Sequence, residues 1–171
     1  FKGSSGVEEI HMSFLPTDGA PFQTQLAWIE NAWRSTIQEL GLPPETCVYR
    51  RFFCSDLPNQ RKWLDDYPFT NGRPEDENSC AVSWVSQPPG ATARVALWTY
   101  HIHDPNASLE KAQEGSHLML RRNGLTHVWT TGMLAPMVEG SYGQTGAILN
   151  DYKTFLEQNG IGVYSPRAKQ F

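Results

Sequence analysis

The sequence has 171 residues, of which 39% are hydrophobic and 19% charged, and its formal net charge is −4. This length suits one generous domain, or one domain and part of a second, and the composition is typical of globular proteins. No run approaches the roughly 18 apolar residues that a membrane span needs, and the acidic balance argues against dependence on polyanion contacts. We therefore expect neither a membrane nor a nucleic acid as a partner.

The N-terminal residues and the cysteines indicate the compartment. Residues 1–10 lack the basic, apolar and small-residue segments of a secretory signal, so we expect a cytoplasmic location. Cys47, Cys54 and Cys80 are odd in number and have no CxxC spacing. This pattern favours buried, reduced thiols over a disulfide framework or a zinc site.

Strands and helices alternate through the first hundred residues. A strand is predicted over residues 9–15, followed by an amphipathic helix that contains Gln25 and ends at Gly41. The pattern then predicts a strand over 46–54, a short helix over 57–67, an exposed and mobile loop over 70–78, and strands over 79–86 and 94–103 that form a hairpin around Pro88-Pro-Gly90. These elements make a complete β-α-β-α-β-β unit that ends near Asp104.

The rest of the chain predicts the start of a second unit. Asn123-Gly124 lies between two apolar runs within residues 117–132, which is a strong hairpin signal. An amphipathic helix over 140–160 follows, whereas residues 164–171 lack strand alternation. We predict a complete unit over 1–104, a linker over 105–114 and a partial second unit over 115–171. The favoured interpretation is a fragment of a longer tandem protein; in the alternative, the second half-unit adds its hairpin and helix to a sheet built with the first.

A repeat relates the two long helices. When Gln25 is laid over Gln144, an offset of 119 residues holds along the whole helix. The same offset matches three further identical pairs, Ile29 with Ile148, Asn31 with Asn150, and Gly41 with Gly160. Two helices of one design indicate two copies of one unit.

Several short motifs occur in a recognisable order along both units. The first unit has Gln25, then Gly41-Leu42, then Arg51-Phe-Phe-Cys-Ser-Asp56-Leu57, then the strands around Pro88-Pro-Gly90. The second unit has Trp129-Thr-Thr-Gly132, then Gly140-Ser-Tyr-Gly-Gln144, and a helix that ends at Gly160. This order resembles the RidA (YjgF) family of imine and enamine deaminases. The layout also resembles the tandem chorismatases, which hydrolyse the enol ether of chorismate.

The resemblance implies an α+β fold, RidA-like and chorismate-mutase-like, with a mixed sheet packed on helices. It also implies a trimer or pseudo-trimer with a small-molecule pocket at each interface. In the family's deaminases an arginine opens the penultimate strand and binds the substrate carboxylate, and a glutamate after the last turn positions the attacking water. If Pro88 is the turn proline, these positions fall on Ser79 and Arg94. Since a hydroxyl is not a guanidinium and a guanidinium is not a base near neutral pH, the first unit is expected to lack the deaminase activity.

Two classes of function stay open. The first is a RidA-like enzyme, either a hydrolytic imine or enamine deaminase or a chorismatase-type hydrolase, whose working site lies in a missing or partner-supplied half. The alternative is a non-catalytic unit that binds a small carboxylate or mediates assembly, with Arg94 as the clamp. The candidate ligand-binding residues are Arg94, Ser79, Thr131 and Gly132; no catalytic residue is identified, and no cofactor is expected. An RNA-acting role, also attached to this family, is disfavoured by the acidic charge.

His101 and His103 offer a weak metal hypothesis. Two imidazoles on one face of a strand can chelate a metal if His11 or His117 supplies a third ligand. Strand histidines more often lie on the polar face of a sheet, so we predict no metal site.

Other chemically distinctive residues have structural explanations. Cys54 or Cys80 with a histidine partner can act as a nucleophile, but burial as a small hydrophobe is the more common role. The arginine doublets 50–51 and 121–122 predict solvated or paired charges on opposite faces of strands. Most of the six tryptophans are expected in the core.

Overall fold

The computed structural model describes residues 1–3, 6–71, 79–90, 92–107, 109–122 and 124–162. It is a mixed α+β protein, which confirms the predicted fold class at this level. Two compact units, Phe1–Thr131 and Gly132–Phe171, divide the chain. In chain order the elements are β1 (Glu8–Phe14), α1 (Phe22–Glu39), a 3₁₀ turn (Pro44–Thr46), β2 (Cys47–Cys54), α2 (Leu57–Asp66), α3 (Pro68–Asn71), β3 (Ala81–Ser86), β4 (Val95–His103), β5 (Glu110–Glu114), β6 (His117–Arg122), β7 (Leu125–Thr130) and α4 (Ser141–Gln158). Within the described ranges, none of these helices combines the length and apolar character that crossing a membrane requires.

Four strands of the first unit form one mixed sheet in the order β1-β4-β2-β3. β4 pairs antiparallel with both β1 and β2, whereas β3 runs parallel to β2. The parallel pair is joined through α2 and α3, because parallel strands need a crossover connection. β2 is an inner strand of this sheet, and most of its side chains are buried, as expected for a strand that is covered on both faces.

The expected hairpin between residues 79–86 and 94–103 is wrong. Both strands form, as β3 and β4, but β2 lies between them. The end of β3 and the start of β4 are therefore two strand spacings apart, about 10 Å, instead of being neighbours across a tight turn. Pro88-Pro-Gly90 marks a change of chain direction, but a change of direction does not decide which strands become neighbours.

The two faces of this sheet support separate hydrophobic cores. On one face, α1 packs a stripe of apolar side chains against the strands; the stripe is Leu26, Ile29, Trp33 and Ile37. On the other face, Val48 and Ile102 pack with Leu118 and Leu120 of β6. Full burial of one such side chain contributes about 1.5 to 3 kcal/mol relative to exposure. Helices thus cover one face of the sheet, and β6 covers part of the other.

The strands β5, β6 and β7 form a second, antiparallel sheet. Gly124 lies in the predicted turn between β6 and β7 with a φ of +76°, and β5 falls within residues 105–114, which were expected to be a linker. Lys111 on β5 donates to the backbone oxygens of Glu45 and Cys47, each at 2.8 Å. A salt bridge between Arg122 and Asp104 makes a second polar link. The second sheet is thereby joined to the first, while the division into repeat units stays a prediction.

The helices α1 and α4 begin at positions related by the predicted offset of 119 residues, and each has 18 residues. Their first backbone hydrogen bonds also correspond. The Gln25 N–H bonds to the Pro21 carbonyl and the Gln144 N–H bonds to the Gly140 carbonyl, both at 3.0 Å. The two helices therefore share their starting point and first hydrogen bond as well as the residues matched in the sequence.

Both helices also end in the same Schellman cap. Gly41 and Gly160 follow them with φ values of +63° and +71°, which confirms the predicted left-handed terminators. The closing hydrogen bonds, both 2.8 Å long, run from Leu42 N to Ile37 O and from Ile161 N to Leu156 O. The sequence pattern of about twenty residues thus gives the same helix, from its first hydrogen bond to its C-terminal cap, in both places.

Arg50 was predicted to be a solvated or paired charge, and the structure shows that it is not solvated. It is 1% exposed, and its guanidinium carbon lies 4.5 Å from the ring centroids of both Trp33 and Phe69. It also donates to the Phe69 carbonyl at 3.0 Å. Aromatic faces attract a cation, so the two rings provide an environment in which this charge can be buried.

The tryptophans and the polar loop also depart from expectation. Of the six tryptophans only Trp33 is buried, whereas Trp28 and Trp63 are 43% and 41% exposed. Thr70, expected in an exposed loop, is buried in α3 because its hydroxyl bonds to the Leu64 carbonyl at 2.5 Å. The remainder of that loop, 72–78, and residues 164–171 lie outside the described residues.

Candidate functional site

A surface cleft of about 390 Å³ lies where α1 and α2 begin and where the chain approaches β4. This volume is within the range of small-molecule sites. Three segments line the cleft: Gly19, Pro21, Phe22 and Gln23 before and at the start of α1; Asp56, just before α2, with Asn59, Gln60 and Trp63 of α2; and Arg94. Of the four candidate residues from the sequence, Arg94 is the one that lines this cleft.

Two buried glutamines hold the backbone of Arg94. Gln25 of α1 accepts the Arg94 N–H at 2.7 Å, and its amide nitrogen donates to the Asp18 carbonyl at 2.6 Å. The Arg94 carbonyl accepts the Ser55 N–H at 3.0 Å and the Gln60 amide at 3.4 Å. Because the Gln25 and Gln60 side chains are themselves buried, the Cα of Arg94 is fixed relative to both helices.

The Arg94 side chain, in contrast, is exposed. Within the described part of the chain its guanidinium has no hydrogen bond and no ion pair. A planar guanidinium presents its donors in a geometry that matches a carboxylate. The cleft therefore contains an available donor group for an anion, on a backbone that is held in place.

Asp56 supplies a carboxylate to the same cleft. It is the residue before α2, but its side chain does not cap the helix. Instead, the Asp56 N–H donates to the Gln60 side chain at 3.1 Å, and the carboxylate accepts a hydrogen bond from the Asn59 amide at 2.7 Å. An aspartate at this position usually accepts a hydrogen bond from a backbone N–H of its own helix. Because the Asp56 carboxylate does not, and because it is exposed, it is available for other partners.

The beginnings of two helices also edge the cleft. α1 starts after Pro21 with no side-chain cap and with no acidic residue in its first turn. α2 likewise starts after Asp56 without a side-chain cap. The first N–H groups of a helix carry a partial positive charge. They add to the Arg94 charge and favour an anion in this region.

Ser79 and Arg94 lie at opposite ends of the first sheet. The parallel register that pairs Ala81 with Tyr49 places Ser79 beside the start of β2. Arg94 bonds to Ser55, just after the end of β2. At about 3.3 Å per residue, the two positions are about 25 Å apart, so the chain does not bring them into one pocket.

Thr131 and Gly132 lie elsewhere. Thr131 follows β7, and its N–H bonds to the Ser116 carbonyl at 2.9 Å. Gly132 is exposed with a φ of +68° and begins the second compact unit. Neither residue lines the Arg94 cleft, and their assignment as ligand-binding residues stays a prediction.

His101, a candidate metal ligand, is fully buried and uses both ring nitrogens. Its Nε2 accepts the Trp33 indole N–H at 3.2 Å, and its Nδ1 lies 3.0 Å from the Thr46 hydroxyl. That hydroxyl donates to the Pro43 carbonyl at 2.7 Å, so Nδ1 carries the proton and donates to Thr46. A neutral imidazole with both nitrogens occupied has no lone pair left for a metal, and the described residues contain no group of three possible ligands.

The buried thiols are poor candidates for nucleophiles. The described structure leaves all three as free, buried thiols, as predicted. Burial raises the pKa of Cys54 to about 12, and a hydrogen bond to Cys47, together with burial, raises the pKa of Cys80 well above its ordinary value. Burial opposes ionisation of Cys47 as well, but the hydrogen bond with Cys80 and the charge of Arg50 lower its pKa. Because a small-molecule substrate cannot reach a fully buried sulfur, we assign this cluster to the core.

Sequence reasoning missed two residues that line the cleft, Asp56 and Gln60, and the role of Gln25, which holds the backbone of Arg94. Gln25 was noted as part of the repeat, but its burial and its bond to Arg94 link positions 69 residues apart. Asp56 belongs to the Arg51-Phe-Phe-Cys-Ser-Asp56-Leu57 motif and Gln60 to the predicted short helix, but neither was identified as a site residue. The one available signal is an aspartate before a helix followed four residues later by a glutamine, and it is weak. The structure explains this spacing, because the Gln60 side chain accepts the Asp56 N–H.

Comparisons of the chain with protein-family models, with curated proteins and with solved structures each give no match.

Proposed function

We propose that the first unit binds a small carboxylate in the cleft beside Arg94. The observation that carries this proposal is a guanidinium without a protein partner in the described chain, on a backbone that Gln25 and Gln60 hold in place. A guanidinium on a fixed backbone suits a bidentate carboxylate. The two uncapped helix starts add a favourable potential for an anion.

The proposal includes membership of the RidA superfamily, as a diverged tandem member. It is supported by the element order β-α-β-α-β-β of β1 to β4 with α1 and α2, and by the matched limits of α1 and α4. Assembly as a trimer or pseudo-trimer belongs to the same proposal. Because Ser79 and Arg94 lie at opposite ends of the sheet, a pocket of the family type that combines these positions needs two chains or two units. Sedimentation equilibrium of the full chain tests this point.

A second candidate function is hydrolysis of an imine or enamine, and Asp56 is the observation that favours it. A carboxylate that can accept a proton and a guanidinium that can hold a substrate carboxylate line one cleft. In this mechanism Asp56 accepts a hydrogen bond from water, whose oxygen attacks the C=N carbon of a 2-imino acid held on Arg94. The C–N bond then breaks, ammonia leaves with the two protons of that water, and a 2-oxo acid forms. A chorismatase-type enol ether would use the same two groups, with an alcohol as the leaving group.

Calorimetric titration with 3-phenylpropionate tests the carboxylate site, and 3-phenylpropanamide serves as its uncharged control. We expect the acid to bind and the amide not to bind. Arg94→Gln should weaken binding of the acid about tenfold or more, because it removes a charge-assisted pair, whereas the exposed control Arg121→Gln should not. Equal affinities of the wild type and Arg94→Gln would show that the proposal is wrong.

Hydrolysis is tested separately with 2-iminopropionate, generated in place from alanine by an amino-acid oxidase. The second candidate predicts faster ammonia release in the presence of the wild-type chain. Asp56→Asn should abolish that acceleration while it leaves a 3-phenylpropionate site in place. If the wild type gives no acceleration, hydrolysis is excluded and the binding function stands alone.

A further inference from the structure

The cleft beside Arg94 holds two opposite charges that do not neutralise each other. Asp56 and Arg94 both line it, yet the described residues contain no ion pair between them. The Asp56 carboxylate accepts one hydrogen bond, from Asn59 at 2.7 Å, which leaves most of its acceptor capacity unused. Separate positive and negative groups in one small cleft are complementary to a ligand that carries both charges.

Trp63 gives the same cleft an apolar wall. Its side chain is 41% exposed and lines the cleft one helical turn beyond Asn59. The Lys62 ammonium lies 4.7 Å from the centroid of its ring, so one part of the ring is already occupied by a cation. The remaining indole surface is suited to an apolar or aromatic group, since aromatic side chains stack favourably on such groups.

We propose that the ligand is an α-amino acid with a large apolar side chain, its carboxylate on Arg94, its ammonium on Asp56 and its side chain against Trp63. This inference rests on the proposed carboxylate site and adds the two other groups that the site selects. A ligand with a carboxylate alone would leave Asp56 close to a like charge. A ligand with two carboxylates would bring a second anion to Asp56, so dicarboxylates should bind less well than the amino acid.

The test compares three probes with the same phenyl group: L-phenylalanine, 3-phenylpropionate and phenethylamine. Each is titrated calorimetrically into the full chain near pH 7. We expect L-phenylalanine to bind tightest, about fivefold better than 3-phenylpropionate, which is the size of a solvent-exposed ion pair. Trp63→Ala should weaken the binding of L-phenylalanine and leave the binding of glycine unchanged.

Asp56→Asn supplies the decisive variant. It should weaken the binding of L-phenylalanine and strengthen the binding of 3-phenylpropionate, so that the preference for the amino acid disappears. Asp66→Asn, at the other end of α2, is the matched control and should preserve the preference. All these positions are exposed, and thermal unfolding of each variant verifies that it is folded.

The outcomes separate this inference from the proposed function. If 3-phenylpropionate binds as tightly as L-phenylalanine and both are weakened by Arg94→Gln, the amino-acid inference is wrong and the carboxylate site stands. If neither ligand binds, or if Arg94→Gln changes neither, both are wrong. If phenethylamine binds as tightly as L-phenylalanine, the carboxylate contributes nothing and both are again wrong.

Discussion

The helices α1 and α4 have the same length, the same first hydrogen bond and the same C-terminal cap, yet their glutamines contact different partners. Gln25 is fully buried and reaches Asp18, Thr92 and Arg94. Gln144 is half-buried, and its side chain donates once, to the Val138 carbonyl at 3.0 Å. The repeated sequence therefore determines the length and ends of the helix. The partners of its glutamine depend on which other segments of the chain pack beside it.

Burial separates the two helices in the same way. α1 buries six side chains, and α4 buries two, Phe155 and Leu156. Trp33 of α1 is completely buried, but its counterpart Tyr152 is half-buried. The difference shows that an amphipathic stripe predicts a helix face but not how completely that face is covered.

The largest expected difference is between Trp33→Ala and Tyr152→Ala. Removing Trp33 leaves a cavity, takes a ring from Arg50 and takes the donor from His101, so we expect a loss of about 3 to 5 kcal/mol in the free energy of unfolding. Tyr152→Ala should cost about 1 kcal/mol. Urea unfolding followed by circular dichroism measures both, and similar losses would contradict the comparison.

Next in size is the effect of Gln25→Ala compared with Gln144→Ala. The first leaves the Arg94 N–H without its acceptor near a buried side chain, which costs about 1 to 3 kcal/mol. It should also weaken 3-phenylpropionate binding, because Arg94 loses its fixed position. Gln144→Ala should cost less than about 1 kcal/mol and leave ligand binding unchanged. If Gln25→Ala lowered stability without any change in affinity, its role in positioning Arg94 would be excluded.

Gly41→Ala and Gly160→Ala should have nearly equal effects. Both glycines have positive φ, and an added Cβ would meet no atom within 4 Å at either position. The cost is therefore conformational, about 1 kcal/mol in each case. Hydrogen exchange of the Leu42 and Ile161 amides, which close the two caps, measures the local effect. A cost at one site only would show that the caps are not equivalent.

The smallest differences concern side-chain ion pairs. In α1, Glu30 accepts hydrogen bonds from Arg34 and from the Tyr67 hydroxyl, whereas α4 has an exposed pair of Lys153 and Glu157 at 3.7 Å. Burial and Glu30 raise the pKa of Tyr67 to about 12. Neutral Tyr67 is favoured in the folded state, so its contribution is complete below about pH 10, where tyrosine ionises in an unfolded chain, and is lost as pH rises toward 12.

Alkaline titration of the free energy of unfolding tests this contribution. The difference between the wild type and Tyr67→Phe should be constant up to about pH 10 and should decrease between about pH 10 and 12. Glu157→Gln should cost no more than about 0.5 kcal/mol, and salt should reduce that cost. A pH-independent difference for Tyr67→Phe would contradict the assigned interaction with Glu30.

Local features of the fold were predictable from the sequence. The bounds of β1, β2, α2 and the β6–β7 hairpin agree with their predicted ranges to within about two residues, because periodicity, the left-handed glycines and the turn residues act over short distances. The helix repeat was found from the Gln25 to Gly41 pattern for the same reason. None of this information depends on which strands pair.

Features that depend on pairing were not predictable. The position of β2 between β3 and β4 follows from burial on both faces of a sheet, which a single strand pattern does not specify. The burial of Arg50 against the rings of Trp33 and Phe69 was not predicted, because these rings come from two other elements. In the cleft, Arg94 was identified as a candidate, but tertiary contacts alone bring Asp56 and Gln60 to the same cleft and Gln25 to the Arg94 backbone.

The strand order β1-β4-β2-β3 has a consequence for biosynthesis. β4 is the last of these four strands to leave the ribosome, yet it pairs with both β1 and β2. Until His103 has emerged, β1 lacks its neighbour in the sheet and β2 keeps an open edge. Unpaired strand edges are templates for association between chains. We therefore expect nascent chains that stop short of this residue to aggregate more readily than chains that include it.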